Sequence, residues 1–324
     1  EEVGSEVRNL AVGDRIVVPF VIACGSCFMC SRGLTTQCET TQNRESGTGA
    51  SLYGYTELYG SVPGGQAERL RVPLADFNAI KVGGELPDER YLFLSDILPT
   101  AWQGVQYAEL PEGGVLGVIG LGPVGQFAAR IGRHLGHRVI AVDPVAERRE
   151  MAERHGIETL DLTDDVLDRL RELTDGRGPD SIVDAVGMEA HGNPGAAFAQ
   201  FAAGLLPDPL AKKAAKTVGV DRMAALLSLD AVRRGGTVSL SGVYVGAADP
   251  MPFVTMFDKG ITLRMGQCNV QSWIDTLLPL VEDPADPLGV EDLVTHTVPL
   301  EEAARMYDVF KKKEDGCIKV VLKP

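Results

Sequence analysis

No stretch of these 324 residues approaches the roughly 20 continuous apolar residues that a membrane-crossing helix needs. Positive charge is also short. There are 31 Lys and Arg against 45 Asp and Glu, a net charge of -14, so the chain repels phosphate backbones. Neither nucleic acid nor a membrane is expected as a partner. The longest basic run, Lys311-Lys312-Lys313, is followed at once by Glu314-Asp315 and reads as a solvated helix end. The opening Glu1-Glu2-Val3-Gly4-Ser5 is acidic and polar, unlike a signal or transit peptide, and a cytoplasmic location is expected. There is no internal repeat and no long low-complexity tract. Cysteine is sparse at six, yet four of the six fall between positions 24 and 38. A secreted disulfide framework would spread its cysteines over a small chain, so this clustering points to a metal.

What is present divides into two textures. Residues 1 to about 95 are rich in Gly, Val, Pro and Thr. The runs Arg15–Pro19 and Ala67–Val72 read as strands on either side of a long loop at 24–60, which makes a small β domain. Residues 96–267 alternate strand and helix. Val115–Ile119 is an apolar run without alternation, as expected of a strand buried on both faces. A helix follows with Phe127, Ile131 and Leu135 on one face. Further strands are expected at Arg138–Val142, Ser181–Val186, Thr237–Leu240 and Ile261–Arg264, with helices at Val145–His155 and Asp164–Leu173. That rhythm specifies an α/β, doubly wound parallel sheet. Residues 188–220 read as an inserted loop with short helices. The tail from 268 closes on a strand at Cys317–Leu322.

Gly120-Leu121-Gly122-Pro123-Val124-Gly125 follows the first strand and opens the amphipathic helix. In that setting Gly120 permits a tight turn, Gly122 lets a pyrophosphate approach the backbone, and Gly125 allows close packing of helix on strand. The helix start offers N–H groups and partial positive charge to phosphates. Asp143 ends the next strand, 23 residues after Gly120. A carboxylate there binds ribose hydroxyls and repels a 2′-phosphate, which favours NAD over NADP. Arg148, five residues on, pulls the other way, because a cation tolerates that phosphate.

Cys24, Cys27, Cys30 and Cys38 sit at spacings that let four thiolates close a tetrahedral zinc site without an open position, hence a structural one. An iron–sulfur cluster, disulfides and plain buried thiols are the alternatives. Cys268 and Cys317 read as ordinary core residues.

A four-cysteine lobe ahead of a glycine-turn sheet resembles the zinc-dependent medium-chain dehydrogenase (alcohol dehydrogenase) family. Gly13–Val17, Gly64–Glu68, Leu94–Thr100 and Lys319–Pro324 fit the same pattern. Asp96, the break after Gly187 and the stretch Gly242 to Gln267 resemble its formaldehyde dehydrogenase-like branch. The resemblance implies a GroES-like catalytic domain from residues 1–95 and 268–324 and a Rossmann domain from 96–267, with a cleft between them. It implies a structural zinc and a catalytic zinc, with Asp96 as third ligand of the latter. An Asp at that place also suits a helix N-cap. It places Thr100, Val186, Val243 and Gly266 against the nicotinamide, and it implies a homodimer or homotetramer.

In the family the other two catalytic ligands lie upstream of the stretch with which this sequence begins. None of the five histidines substitutes for them: His134, His137 and His155 fall on or after Rossmann helices, His191 in the insert, and His296 in the tail. The activity implied is hydride transfer between a small alcohol, or a formaldehyde-type adduct, and NAD, with zinc polarising the substrate oxygen. By comparison with family members about seventy residues are absent ahead of residue 1, so the expectation is that either the sequence is an N-terminally truncated fragment or activity is lost. Other readings are a polyol or amino-acid-alcohol dehydrogenase, a zinc-free quinone-reductase-like protein, a non-catalytic dinucleotide-binding protein and a zinc-module interaction protein.

Overall fold

Apolar residues without alternation build the centre of a six-stranded parallel sheet. Its order is Glu158–Leu160, Arg138–Val142, Val115–Ile119, Ser181–Asp184, Thr237–Leu240 and Thr262–Met265. Every neighbouring pair runs parallel. In this computed structural model residues 1–187, 223–244 and 251–324 are described. The insert expected at 188–220 lies outside them.

The chain forms two compact units, Gly104–Gly266 and Glu1–Gln103 with Gln267–Pro324. The sheet belongs to the Gly104–Gly266 unit. Its core gathers Ile119, Ile140, Val142, Ile182 and Val238 from the strands, with Leu170 and Leu229 from helices Val166–Glu172 and Met223–Ala231. On helix Pro123–His134, Phe127 and Ile131 are fully buried. Leu135 falls just past the helix end and is 39% exposed, so the buried stripe stops one residue short of the expected face.

The other unit is loop-rich. Ile16–Val17 pairs antiparallel with Ile80–Lys81, and His296–Pro299 pairs parallel with Val320–Lys323. Ala67–Val72, expected as a strand, forms none. No described segment supplies it with a ladder, and Ala67, Glu68 and Arg69 are exposed. A small core of Val21, Ala23, Ala50 and Leu52 surrounds Cys30 and Cys38. Early and late parts of this unit are joined through Arg90, which is 2% exposed. Its guanidinium donates to the carbonyls of Val281 (3.1 and 2.6 Å) and Asp283 (2.7 Å). It also lies 3.3 Å from both Asp286 and Glu291. A buried cation stands only with such partners.

Candidate cofactor and metal sites

The glycine turn is fixed by space. Gly120 has φ +89°, and a Cβ there would meet Val186 Cγ2 at 2.5 Å. A Cβ on Gly125 would come 1.8 Å from the Gly120 carbonyl oxygen, so helix and strand meet as closely as backbone allows. Gly122 differs: the nearest atom to an added Cβ is Arg148 Nη1 at 3.8 Å. No packing demand explains that glycine, whereas a phosphate cradle does. Pro123 opens the helix at its first position and no side chain caps its start. These residues fit a dinucleotide pyrophosphate.

Asp143 is 3% exposed. Its two carboxylate oxygens accept from the backbone N–H groups of Leu121 and Val145, each at 2.7 Å. Arg148 Nη1 lies 3.9 Å from one of them. The carboxylate therefore braces the turn at Leu121 and stands beside a cation at the same time.

Val186 and Val243 occupy loops at the carboxyl ends of adjacent strands. Asp184, fully buried, joins the loops: it accepts from Val186 N–H (2.9 Å) and from the Tyr244 hydroxyl, and its carbonyl accepts from Ser241 (3.0 Å) and Gly242 (2.8 Å). Burial pushes its carboxyl up, with those donors offsetting part of the effect. Val243 is 61% exposed, and Gly266 directly follows the edge strand Thr262–Met265.

The four expected metal-binding cysteines converge, and their sulfur atoms all lie within 4.8 Å of one another. Cys24–Cys30 and Cys27–Cys38 are each 4.0 Å apart, too far for disulfides. Four zinc–sulfur bonds of 2.3 Å in a tetrahedron would hold the sulfurs about 3.8 Å apart. Burial raises the Cys24 thiol, but hydrogen bonds from Thr40, Ser26 and Cys27 overcome this and bring it down to about 5. Burial and the neighbouring Cys27 push Cys30 up to about 12. Sulfurs this close cannot all ionise without a cation among them, so the donor set suits a closed zinc site. Among the described residues this is the one cluster of three or more potential metal ligands.

Asp96 stands apart from that cluster. It precedes helix Ile97–Tyr107, and its carboxyl accepts from the Thr100 hydroxyl at 3.0 Å. The residue itself is exposed to solvent, with Lys319 near enough to favour its charged form. No second and third ligand stand with it among the described residues, so by themselves they do not form a catalytic zinc site. Two neighbours escaped the sequence reading. Cys268 is 2% exposed, with its thiol raised by burial and by Asp96. Lys319 has its ammonium lowered by burial, an effect Asp96 partly offsets. A lysine inside the otherwise apolar run Cys317–Leu322 was the available signal; a lone buried cysteine offered none. Trp102, on the same helix as Thr100, is buried at 6%.

Residues 123–200 match the zinc-binding dehydrogenase family, and residues 1–82 match the alcohol dehydrogenase GroES-like domain. The chain is 38% identical over 330 residues to the uncharacterized zinc-type alcohol dehydrogenase-like protein AdhB of Bacillus subtilis, covering 100% of this chain and 82% of that protein. It is 32% identical to the glutathione-independent formaldehyde dehydrogenase of Pseudomonas aeruginosa, covering 95% of this chain and 76% of that one. Alcohol dehydrogenase TADH from Thermus sp. ATN1 superposes with a TM-score of 0.79 at 34% identity, covering 99% of this chain and 82% of that structure.

Proposed function

The chain belongs to the zinc-dependent medium-chain alcohol dehydrogenase family, and from that premise we propose that it transfers hydride between NAD and a small alcohol or formaldehyde-type adduct. The observation that carries the reading is Gly122, a glycine with no packing reason, set between the close-packed Gly120 and Gly125 and beside Asp143. When bound, the nicotinamide supplies the hydride chemistry; the residues here bind, orient and enclose it.

In this reading the turn holds the pyrophosphate, and the backbone near Val186, Val243 and Gly266 lies along the nicotinamide. Asp143 takes the adenosine ribose, which favours NAD; Arg148 beside it keeps some affinity for NADP. Cys24, Cys27, Cys30 and Cys38 hold a structural zinc that keeps their loop folded. Asp96 is one ligand of a catalytic zinc whose remaining ligands come from outside the described residues. Thr100 holds the Asp96 carboxyl in place through its hydroxyl. Similarity to a formaldehyde dehydrogenase supports the formaldehyde-type substrate. The isolated position of Asp96 favours a second reading, a dinucleotide binder without turnover.

Self-association through the Gly104–Gly266 unit belongs to the same proposal. Phe253, Val254 and Phe257 are 68%, 84% and 90% exposed on helix Phe253–Lys259. The edge strand Thr262–Met265 follows directly. Exposed apolar patches and open edges mark contact surfaces.

Titrating the chain with NADH and NADPH while following reduced-nicotinamide fluorescence tests cofactor binding. NADH should bind more tightly. Absence of binding by either would overturn the reading. Absorbance at the reduced nicotinamide band, with a panel of alcohols and aldehydes, then separates the dehydrogenase from the silent binder.

A further inference from the structure

The cysteine lobe and Asp96 are separate clusters, yet a buried polar chain runs from one toward the other. Cys38 closes the turn Thr35–Gln37, its N–H donating to Thr35 O at 3.1 Å. The Thr36 N–H and hydroxyl both donate to Asn269 Oδ1, at 3.0 and 3.1 Å, and the Thr35 hydroxyl reaches the same oxygen at 3.5 Å. Asn269 N–H donates to Gln103 Oε1 at 2.9 Å, as does Trp273 Nε1 at 3.2 Å. Gln103 Nε2 donates to Gln267 O at 3.1 Å. Thr35, Thr36, Gln103 and Asn269 are 3%, 3%, 3% and 6% exposed.

Two features make this more than core filling. Gln103 lies one helical turn beyond Thr100, on the helix that Asp96 precedes. The residue between Gln267 and Asn269 is Cys268, 2% exposed, whose thiol feels both Asp96 and Thr100. The same short segment is thus pinned on one side by the lobe and on the other by the helix. A buried amide that loses its partners is costly, so the network holds together or rearranges as a unit.

We propose that Asn269 is a positioning residue that couples the four-cysteine lobe to Thr100 and Asp96, so that metal occupancy of the lobe sets where those two side chains stand. The proposal rests on the reading of Asp96 and Thr100 as site residues, but its first test does not need turnover.

Trp102 and Trp273 are the two tryptophans. In a Trp102→Phe background Trp273 alone reports on the network. The zinc-loaded chain is treated with an organomercurial, and zinc release is followed with a colorimetric chelator. The Trp273 emission maximum should move to the red in step with zinc release, while far-UV circular dichroism holds. Emission that ignores zinc release overturns the proposal.

The second arm uses Asn269→Leu, which removes the acceptor, and Asn269→Asp, which keeps it. Asn269→Leu should retain its thiolate zinc and lose about tenfold in kcat, with KM for NAD within about twofold, because the glycine turn is untouched. Asn269→Asp should recover most of that loss. Wild-type kcat in Asn269→Leu, or no recovery with Asp, overturns the proposal. If the unmodified chain shows no turnover, the dehydrogenase reading fails while the emission arm still decides this one. If Asn269→Leu does not fold, the emission arm again decides.

Discussion

A methyl group added at Gly125 and one added at Gly122 should behave in opposite ways. At Gly125 it meets a carbonyl oxygen at 1.8 Å, so Gly125→Ala should cost about 2–3 kcal/mol in urea unfolding and weaken cofactor binding as a consequence. At Gly122 the nearest atom is 3.8 Å away. Gly122→Ala should leave stability within about 0.5 kcal/mol. Its NADH affinity should nonetheless fall about tenfold, near 1.4 kcal/mol. Wild-type NADH affinity in Gly122→Ala would remove the pyrophosphate from this turn. These glycines were legible in the sequence because their roles are local: six consecutive residues make the turn. The four cysteines were legible for the same reason. Asn269 and Gln103 were not, since their partners lie 233 and 166 residues away and nothing in their own neighbourhoods marks them.

Among the elements, the central strands were readable because burial on both faces leaves a run of β-branched and aliphatic residues that no loop would carry. Ala67–Val72 misled because a short run beside a loop makes no strand unless another segment offers it a ladder. One side chain fastens the sheet's centre. Asp180 accepts from Val115 N–H at 2.8 Å and from Arg233 Nε at 2.6 Å. Burial alone would raise its carboxyl, but the Val115 N–H and the Arg233 guanidinium outweigh that and hold it below the usual 3.8. A carboxyl lowered on folding stabilises above its unfolded value and loses that contribution as pH falls through the folded one. Asp180→Asn should therefore unfold at lower urea than the parent near pH 7, by about 1–2 kcal/mol. The gap should narrow steadily below about pH 4. A gap independent of pH would assign the effect to packing instead of charge.

At the scale of the whole molecule, the exposed helix Phe253–Lys259 makes a prediction about assembly. Phe257→Glu places a charge in the proposed contact and should lower the mass measured by light scattering, with the thermal melt of the sheet little changed. An unchanged mass would send the interface elsewhere. The surface was hidden from the sequence because a short apolar helix reads the same whether it faces a core or a partner. Arg90 carries a different implication, concerning the order in which the molecule can be made. Its guanidinium is sheltered by groups at 281, 283, 286 and 291, so a ribosome that has released the chain only as far as residue 100 has made that cation without any of its partners. The opening unit must wait, loose or chaperoned, while the whole parallel sheet between its two halves is synthesised. A stalled or cleaved product ending before residue 281 should therefore be degraded rather than accumulate as a stable domain.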